Sequence, residues 1–236
     1  MEIHKPKPVH NWREFLKEYA IIVLGVLTAL AAEQAVEWLR WRHEVAIARQ
    51  SLREEIAVID RFYGRRALIG PCLERRLEEK AARIRDIAAN RKAAPLPPDP
   101  GTTGALLSDA EWQSERSAQT LTHFPRAELA LMSNFYAQMG DIHEWIFEEE
   151  RSWSALAVLA DDTDHLGPAD LAQLRVNLNI ARTREHLIFL NVRRQLAISA
   201  QLGIYPPGRA AYAAPVARWC RPGEPLGPLP GQASQS

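Results

Sequence analysis

Hydrophobic and polar positions alternate along most of this chain with the period of amphipathic helices, and one stretch near the N-terminus escapes the alternation. Tyr19 to Ala32 (YAIIVLGVLTALAA) is a run of fourteen residues without a charge. From Trp38 the apolar positions return in steps of three and four: Trp38, Trp41, Val45, Ala48, Leu52, Ile56, Ile59 and Tyr63. That spacing puts them on one face of a helix, with Glu44, Arg49, Arg53, Glu54 and Asp60 on the other faces. Gly64 and then Gly70-Pro71 interrupt the pattern, and because proline removes a backbone donor a kink or break is expected there. Leu73, Leu77, Ile84 and Ile87 resume the pattern to about Asn90.

Residues 93–107 form a Pro-rich loop whose first part reads AAPLPPDPGTTG. Ser108 with Glu111 has the form of a capping box opening a helix through Leu121, and Pro125 stands where a first helical position would be. The following helix carries Leu129, Met132, Tyr136, Met139, Ile142, Ile146, Trp153, Leu156 and Leu159. Gly167-Pro168 starts the last long helix, with Leu171, Leu174, Leu178, Ala181, Leu187, Leu190, Ala197 and Ile198, which finishes at Gly203. Short helix-to-helix connections favour antiparallel neighbours, so the expected packing is an up-down bundle of four principal segments. The tail from Gly203 holds seven prolines and five glycines. It is expected to be irregular, and its last part, after Cys220, disordered.

The fourteen-residue run is about 21 Å long as a helix, short for a hydrocarbon core of about 30 Å. Its flanks extend it. Trp12 and Trp38 on one continuous helix stand about 39 Å apart, the spacing of aromatic rings at the two faces of a bilayer, with Trp41 a further interface anchor. Asn11 with Glu14 would start that helix, while Glu33, Glu37 and Arg40 share a face and can screen one another. Two other arrangements fit the run: a buried core helix, and a cleaved signal peptide ending near Ala29-Leu30-Ala31. Against cleavage, the helical pattern runs through that site without a turn residue. Basic residues tie across the run, with Lys5, Lys7, Arg13 and Lys17 before it and Arg40, Arg42, Arg49 and Arg53 after it. A short basic tail ahead of a single apolar segment favours the tail inside and the C-terminal part exported.

The division that follows is an N-terminal tail (1–11), a transmembrane anchor helix (12–40), a helical bundle (41–203) and a Pro/Gly-rich tail (204–236). The fold class is all-α. Composition adds constraints. Lys plus Arg and Asp plus Glu are 29 each, so no net field recruits nucleic acid. Cys72 and Cys220 are too few for a disulfide scaffold and lack metal or haem spacing. In an exported domain the pair reads as one bridge stapling the tail to the second helical segment, whereas in the cytoplasm the two thiols would stay reduced.

Candidate chemistry is sparse. A di-iron bundle needs Glu-x-x-His on two helices, and the nearest approach is Asp162-x-x-His165, in a loop. Asp161, Asp162 and Asp164 lack EF-hand spacing. His143-Glu144 opens like a zincin motif, but Phe147 stands where the second histidine belongs. No G-x-S-x-G elbow or P-loop occurs, so the expectation is a non-enzymatic protein without cofactor. Glu148, Glu149 and Glu150 beside Trp145 and Trp153 read as a solvated face, and Arg65-Arg66, Arg75-Arg76 and Arg193-Arg194 as surface charge. His186 is expected to be partly buried and hydrogen-bonded.

Residues 12 to 44, WREFLKEYAIIVLGVLTALAAEQAVEWLRWRHE, resemble the opening of a family of small, uncharacterised bacterial membrane-anchored proteins. The shared features are a basic amphipathic lead, a glycine-containing apolar run and a Trp-rich exit ending in W-x-W-R-H. The resemblance implies a single-span bacterial inner-membrane protein with a helical domain outside the bilayer, and it brings no activity or catalytic residues. The expected role is a membrane-tethered bundle binding another protein or itself, with the lipid bilayer as its fixed partner and the bundle in the periplasm. The competing expectation is a ligand-sensing bundle near Trp112, Trp145 and Trp153 that acts through a partner.

Overall fold

Pro71 does not break the first helix. In the computed structural model α1 runs unbroken from Trp12 to Ala88, passing through the Gly70-Pro71 pair where a kink was expected. The structure describes residues 12–91, 95–101, 104, 107–161 and 163–229. Asn11, Asp162 and the end of the tail lie outside these.

Where α1 carries its proline, close packing at small residues covers it. Gly70 has no Cβ, and one placed there would stand 2.4 Å from the ring of Phe189, so that ring seats directly on the helix backbone. Pro71 has no N–H, which leaves the Ala67 carbonyl without its donor four residues on. The C-terminal segment covers this site: the Gly227 N–H donates to the Leu68 carbonyl at 3.0 Å. A Cβ on Gly227 would fall 1.8 Å from the Ala67 oxygen, so only glycine allows the approach. Gly64 receives the Tyr212 hydroxyl in the same way, at 2.4 Å from where a Cβ would be.

The remaining elements are α2 (Ala110–Ser117), α3 (Arg126–Leu156), α4 (Pro168–Gln201) and α5 (Ala213–Trp219), with short 3₁₀ turns at Thr120–His123, Ala157–Ala160 and Arg209–Tyr212. No strand occurs among the described residues. The fold is all-α, built on three long helices rather than four, because the two segments expected on either side of Pro71 are one. The up-down order also fails for the first pair. Arg49 pairs with Glu128 and Arg66 with Glu149, so α1 and α3 run in the same direction. The Pro-rich segment makes this possible by returning along the bundle, held by Lys80 to Asp99 at 2.9 Å and by Arg65 to the Gly104 carbonyl at 2.9 Å. α4 runs opposite to both and packs closely against each.

Local signals are used differently from their expected form. The Ser108–Glu111 box does not form: Glu55 of α1 accepts from the backbone N–H groups of Glu111 and Trp112 and from the Tyr136 hydroxyl, at 3.0, 3.4 and 2.7 Å. Helix α2 stops at Ser117, short of Leu121. Pro125 caps α3 from outside its first turn. Pro168 opens α4, and Asp170 accepts from the Gly167 N–H at 2.9 Å. The tail is not free of regular structure, since it forms α5 and climbs along α1 from Ile204 to Trp219 before doubling back to Leu229.

The core lies along α1 from Val45 to Ile84 and divides into two clusters. One joins Leu52, Ile56 and Tyr63 to Phe135, Ile142, Val192 and Leu196. The other joins Leu73, Leu77 and Ile84 to Trp153, Leu156, Leu174 and Trp219.

Candidate functional site

The first third of α1 is not buried by any other described residue. Ile21, Ile22, Leu24 and Leu27 are exposed, and this helix has a stretch long and apolar enough to cross a membrane, none of it buried. Trp12 stacks on Phe15, and Phe15 on Tyr19, with ring centres 5.7 and 6.2 Å apart. Trp12 and Trp38 point outward, Trp38 beneath the Arg42 guanidinium. Trp41 differs from both. It is half-buried and stacks on His123 from the turn before α3, with Arg40 over its outer ring and Glu37 accepting from its indole N–H at 3.4 Å. One helical turn later Val45 is already in the core. The joint between the exposed apolar segment and the bundle is therefore a single turn of continuous helix.

Above the joint the core is polar to an unusual degree. Asp60 is wholly buried with neither carboxylate oxygen hydrogen-bonded, and the hydroxyls of Tyr63 and Tyr212 are likewise unpaired. Ser199 of α4 stands by, but its own hydroxyl donates to the Gln195 carbonyl at 2.9 Å. Burial pushes the Asp60 carboxyl up to about 7, with Ser199 working against the shift. Farther along, Arg66 pairs with Glu149 at 3.0 Å, both side chains almost fully enclosed. Glu185 of α4 shares this site; burial pushes it up to about 7, Arg66 opposing and Glu149 and Glu74 adding to the rise.

These residues overturn several expectations. The Glu148–Glu150 run is not a solvated face: Glu148 pairs with Arg184, Glu149 with Arg66, and Glu150 accepts from the Gly104 N–H at 2.8 Å. Among the arginine pairs Arg66 is in the core, while Arg75 and Arg76 grip the tail. His186 is exposed, and its neighbour Glu185 is the buried residue. His143 lies against Phe147 at 4.8 Å, a ring contact.

Cys72 and Cys220 are joined by a disulfide. Cys72 is fully buried and Cys220 half-buried. Around them Arg75 donates to Glu224 at 2.5 Å and to Glu79 at 2.8 Å, Arg76 to the Trp219 carbonyl at 3.2 Å, and Trp219 meets Trp153 edge-on at 5.9 Å. A Glu224 oxygen lies within 4.8 Å of the sulfurs, but a disulfide offers a metal no thiolate.

The three tryptophans proposed to surround a ligand are not brought together. Trp112 stacks on Tyr136 at 4.7 Å, Trp153 packs on Trp219, and Trp145 lies against the first core cluster. A cleft of about 700 Å³ lies between α1, α2 and the tail, lined by Glu55, Val58, Phe62, Leu107, Glu111 and Tyr212. Comparison with family models, curated proteins and solved structures finds no match for this chain. The sequence reading passed over Glu149 and Glu185 because they are polar, although Glu149 lies three residues after Ile146 and four before Trp153, and Glu185 four after Ala181, the steps that mark a buried helix face.

Proposed function

We propose that this is a single-pass, membrane-tethered helical bundle without enzymatic activity, which acts by binding another protein, or a second copy of itself, at a bacterial inner membrane. The observation that carries the reading is the continuity of α1, which leaves its exposed apolar segment and enters the core at Val45 with no intervening loop. Trp12 and Trp38 stand about 39 Å apart on that helix, which suits the two faces of a bilayer.

The bundle is assigned to the periplasmic side. A disulfide persists in oxidising compartments, and Cys72–Cys220 closes a sequence separation of 148 residues. Cross-linking in native membranes followed by identification of the captured chains tests the interaction. Absence of any specific adduct, with the protein abundant and membrane-bound, counts against it. A reporter active only in the cytoplasm, fused after Ser236 and found active, would overturn the orientation.

A ligand-sensing bundle acting through a partner is the second reading. It is favoured by the open cleft at Glu55, Val58 and Tyr212 and weakened by the separation of the three tryptophans. Membrane extracts that raise the thermal midpoint of the wild type, but not of Val58→Trp, would favour it over the first.

A further inference from the structure

The tail does more on α1 than cover it. Between Ala67 and Pro71 the helix carries a carbonyl that proline deprives of its donor. The chain brings Gly227 onto that site, donating to Leu68 at 3.0 Å and lying against the Ala67 oxygen. Gly227 has no side chain to hold it there. Its position is set by Arg209, which donates to its carbonyl at 3.4 Å, by the buried Leu229 beyond it, and by the clasp a few residues upstream, where Cys220 is bonded to Cys72, Glu224 to Arg75, and the Arg221 N–H donates to Glu224 at 2.7 Å. One covalent bond thus ties the segment that splints α1 across its proline to the helix it covers.

The two cysteines of that bond are unequal in burial. Cys72 is fully buried, whereas Cys220, at the end of α5, is only half-buried. The charges around it are paired: Arg76 lies by the Trp219 carbonyl and faces Asp99, Arg221, largely exposed, reaches Glu79, and Glu224 is held by Arg75. A thiolate approaching from solvent meets Cys220 before the buried Cys72.

We propose that Cys220 is a thiol-exchange site for a dithiol reductant, and that opening this bond releases the tail and unsplints α1 at Pro71. The reductant's thiolate attacks Cys220 Sγ, forming a mixed disulfide as the Sγ–Sγ bond breaks. Cys72 leaves as the thiolate and takes a proton from solvent. The reductant's second thiol, deprotonated, attacks its own sulfur in the mixed disulfide and expels Cys220 as the thiolate, which is protonated in turn. The dithiol ends as a disulfide, and two electrons have passed to Cys72 and Cys220. The segment from Ile204 to Leu229 is then held only by its noncovalent contacts, and the Ala67 and Leu68 carbonyls open to water. The clasp works in the same way whichever side of a membrane the bundle occupies, so the fusion reporter above tests orientation without deciding this proposal.

The test uses the full chain in detergent micelles. A dithiol protein whose second cysteine is replaced by serine cannot complete the exchange and stays attached; peptide mapping should find it on Cys220. Reduction with dithiothreitol, followed by hydrogen exchange, should speed exchange at least tenfold in residues 204–229 and in α1 just after Pro71, while α3 keeps its protection. Pro71→Ala should abolish the change in α1 and leave that in the tail. An adduct on Cys72 alone, a bond that resists the dithiol until the protein unfolds, or unchanged exchange after reduction would each overturn the proposal. So would loss of protection throughout α3, which would make the bond a plain structural staple.

Discussion

The imidazole of His123 lies over the indole of Trp41, ring centres 3.7 Å apart and planes 17° from parallel. This contact ties the turn ahead of α3 to α1 four residues before Val45 enters the core. His123→Ala should therefore cost about 1 kcal/mol, the scale of an aromatic pair beyond its buried area. Thermal unfolding followed by circular dichroism measures the loss, and hydrogen exchange should place it in residues 119–125. A variant as stable as the wild type would make the stacking incidental.

Arg66 and Glu149 are both enclosed, so removing one leaves the other charged in the core. Glu149→Ala should destabilise by about 3–5 kcal/mol. The double change Arg66→Met with Glu149→Leu should recover most of that, since it removes both charges and keeps the volume. Chemical denaturation of the two variants side by side distinguishes a buried pair from an exposed one, whose loss would cost under about 1 kcal/mol.

Asp60 and Glu185 are both held up at about 7 in the folded chain, against ordinary values of 3.8 and 4.5. Folded protein therefore keeps two protons that the unfolded chain gives up near pH 4. Their contribution is fully present below that pH and is lost as pH rises through about 7. The stability of the bundle should fall by about 5 kcal/mol between pH 5 and 8, at no more than about 1.4 kcal/mol per pH unit for each group. Glu224, held below its usual range by Arg75 and the Arg221 N–H against its own burial, acts in the opposite sense at lower pH. Asp60→Asn should flatten the profile; midpoints that do not move with pH in the wild type would contradict it.

Cys220→Ser removes a bridge across a sequence separation of 148 residues and should cost about 2–5 kcal/mol. Gly227→Ala leaves the bridge intact but drives a methyl into the Ala67 carbonyl. It should loosen residues 224–229 at a cost of about 1–3 kcal/mol, the range for overpacking, with the midpoint of α3 unchanged. Differential hydrogen exchange separates the two effects.

Much of α1 and α3 could be read from apolar spacing because the residues facing the core are themselves apolar: Val45, Ala48, Leu52, Ile56 and Ile59, then Met132, Tyr136, Met139 and Ile142 are all buried. In the second half of α4 that condition fails. The buried face there is Glu185, Ile188, Val192, Gln195, Leu196, Ile198 and Ser199; of the apolar residues expected there Ile198 is on it, while Leu190 and Ala197 lie outside it. Periodicity follows hydrophobicity, so a stripe that carries a carboxyl, an amide and a hydroxyl becomes invisible to it. The reading of Gly70-Pro71 as a break failed for a related reason. It treats the freed carbonyl as a local loss, whereas the covering Gly227 stands more than 150 positions away.

Continuity of α1 also gives the molecule leverage. From Trp38 to Ala88 the helix is about 75 Å long. A change of 10° in the tilt of the segment below Trp38 would carry Ala88 sideways by about 13 Å. Transmembrane helices commonly change tilt by such amounts when the surrounding lipid thickens or thins. With that segment in a bilayer, as proposed, a difference of a few ångströms in lipid thickness would be written out, several times magnified, at the end of the bundle farthest from it.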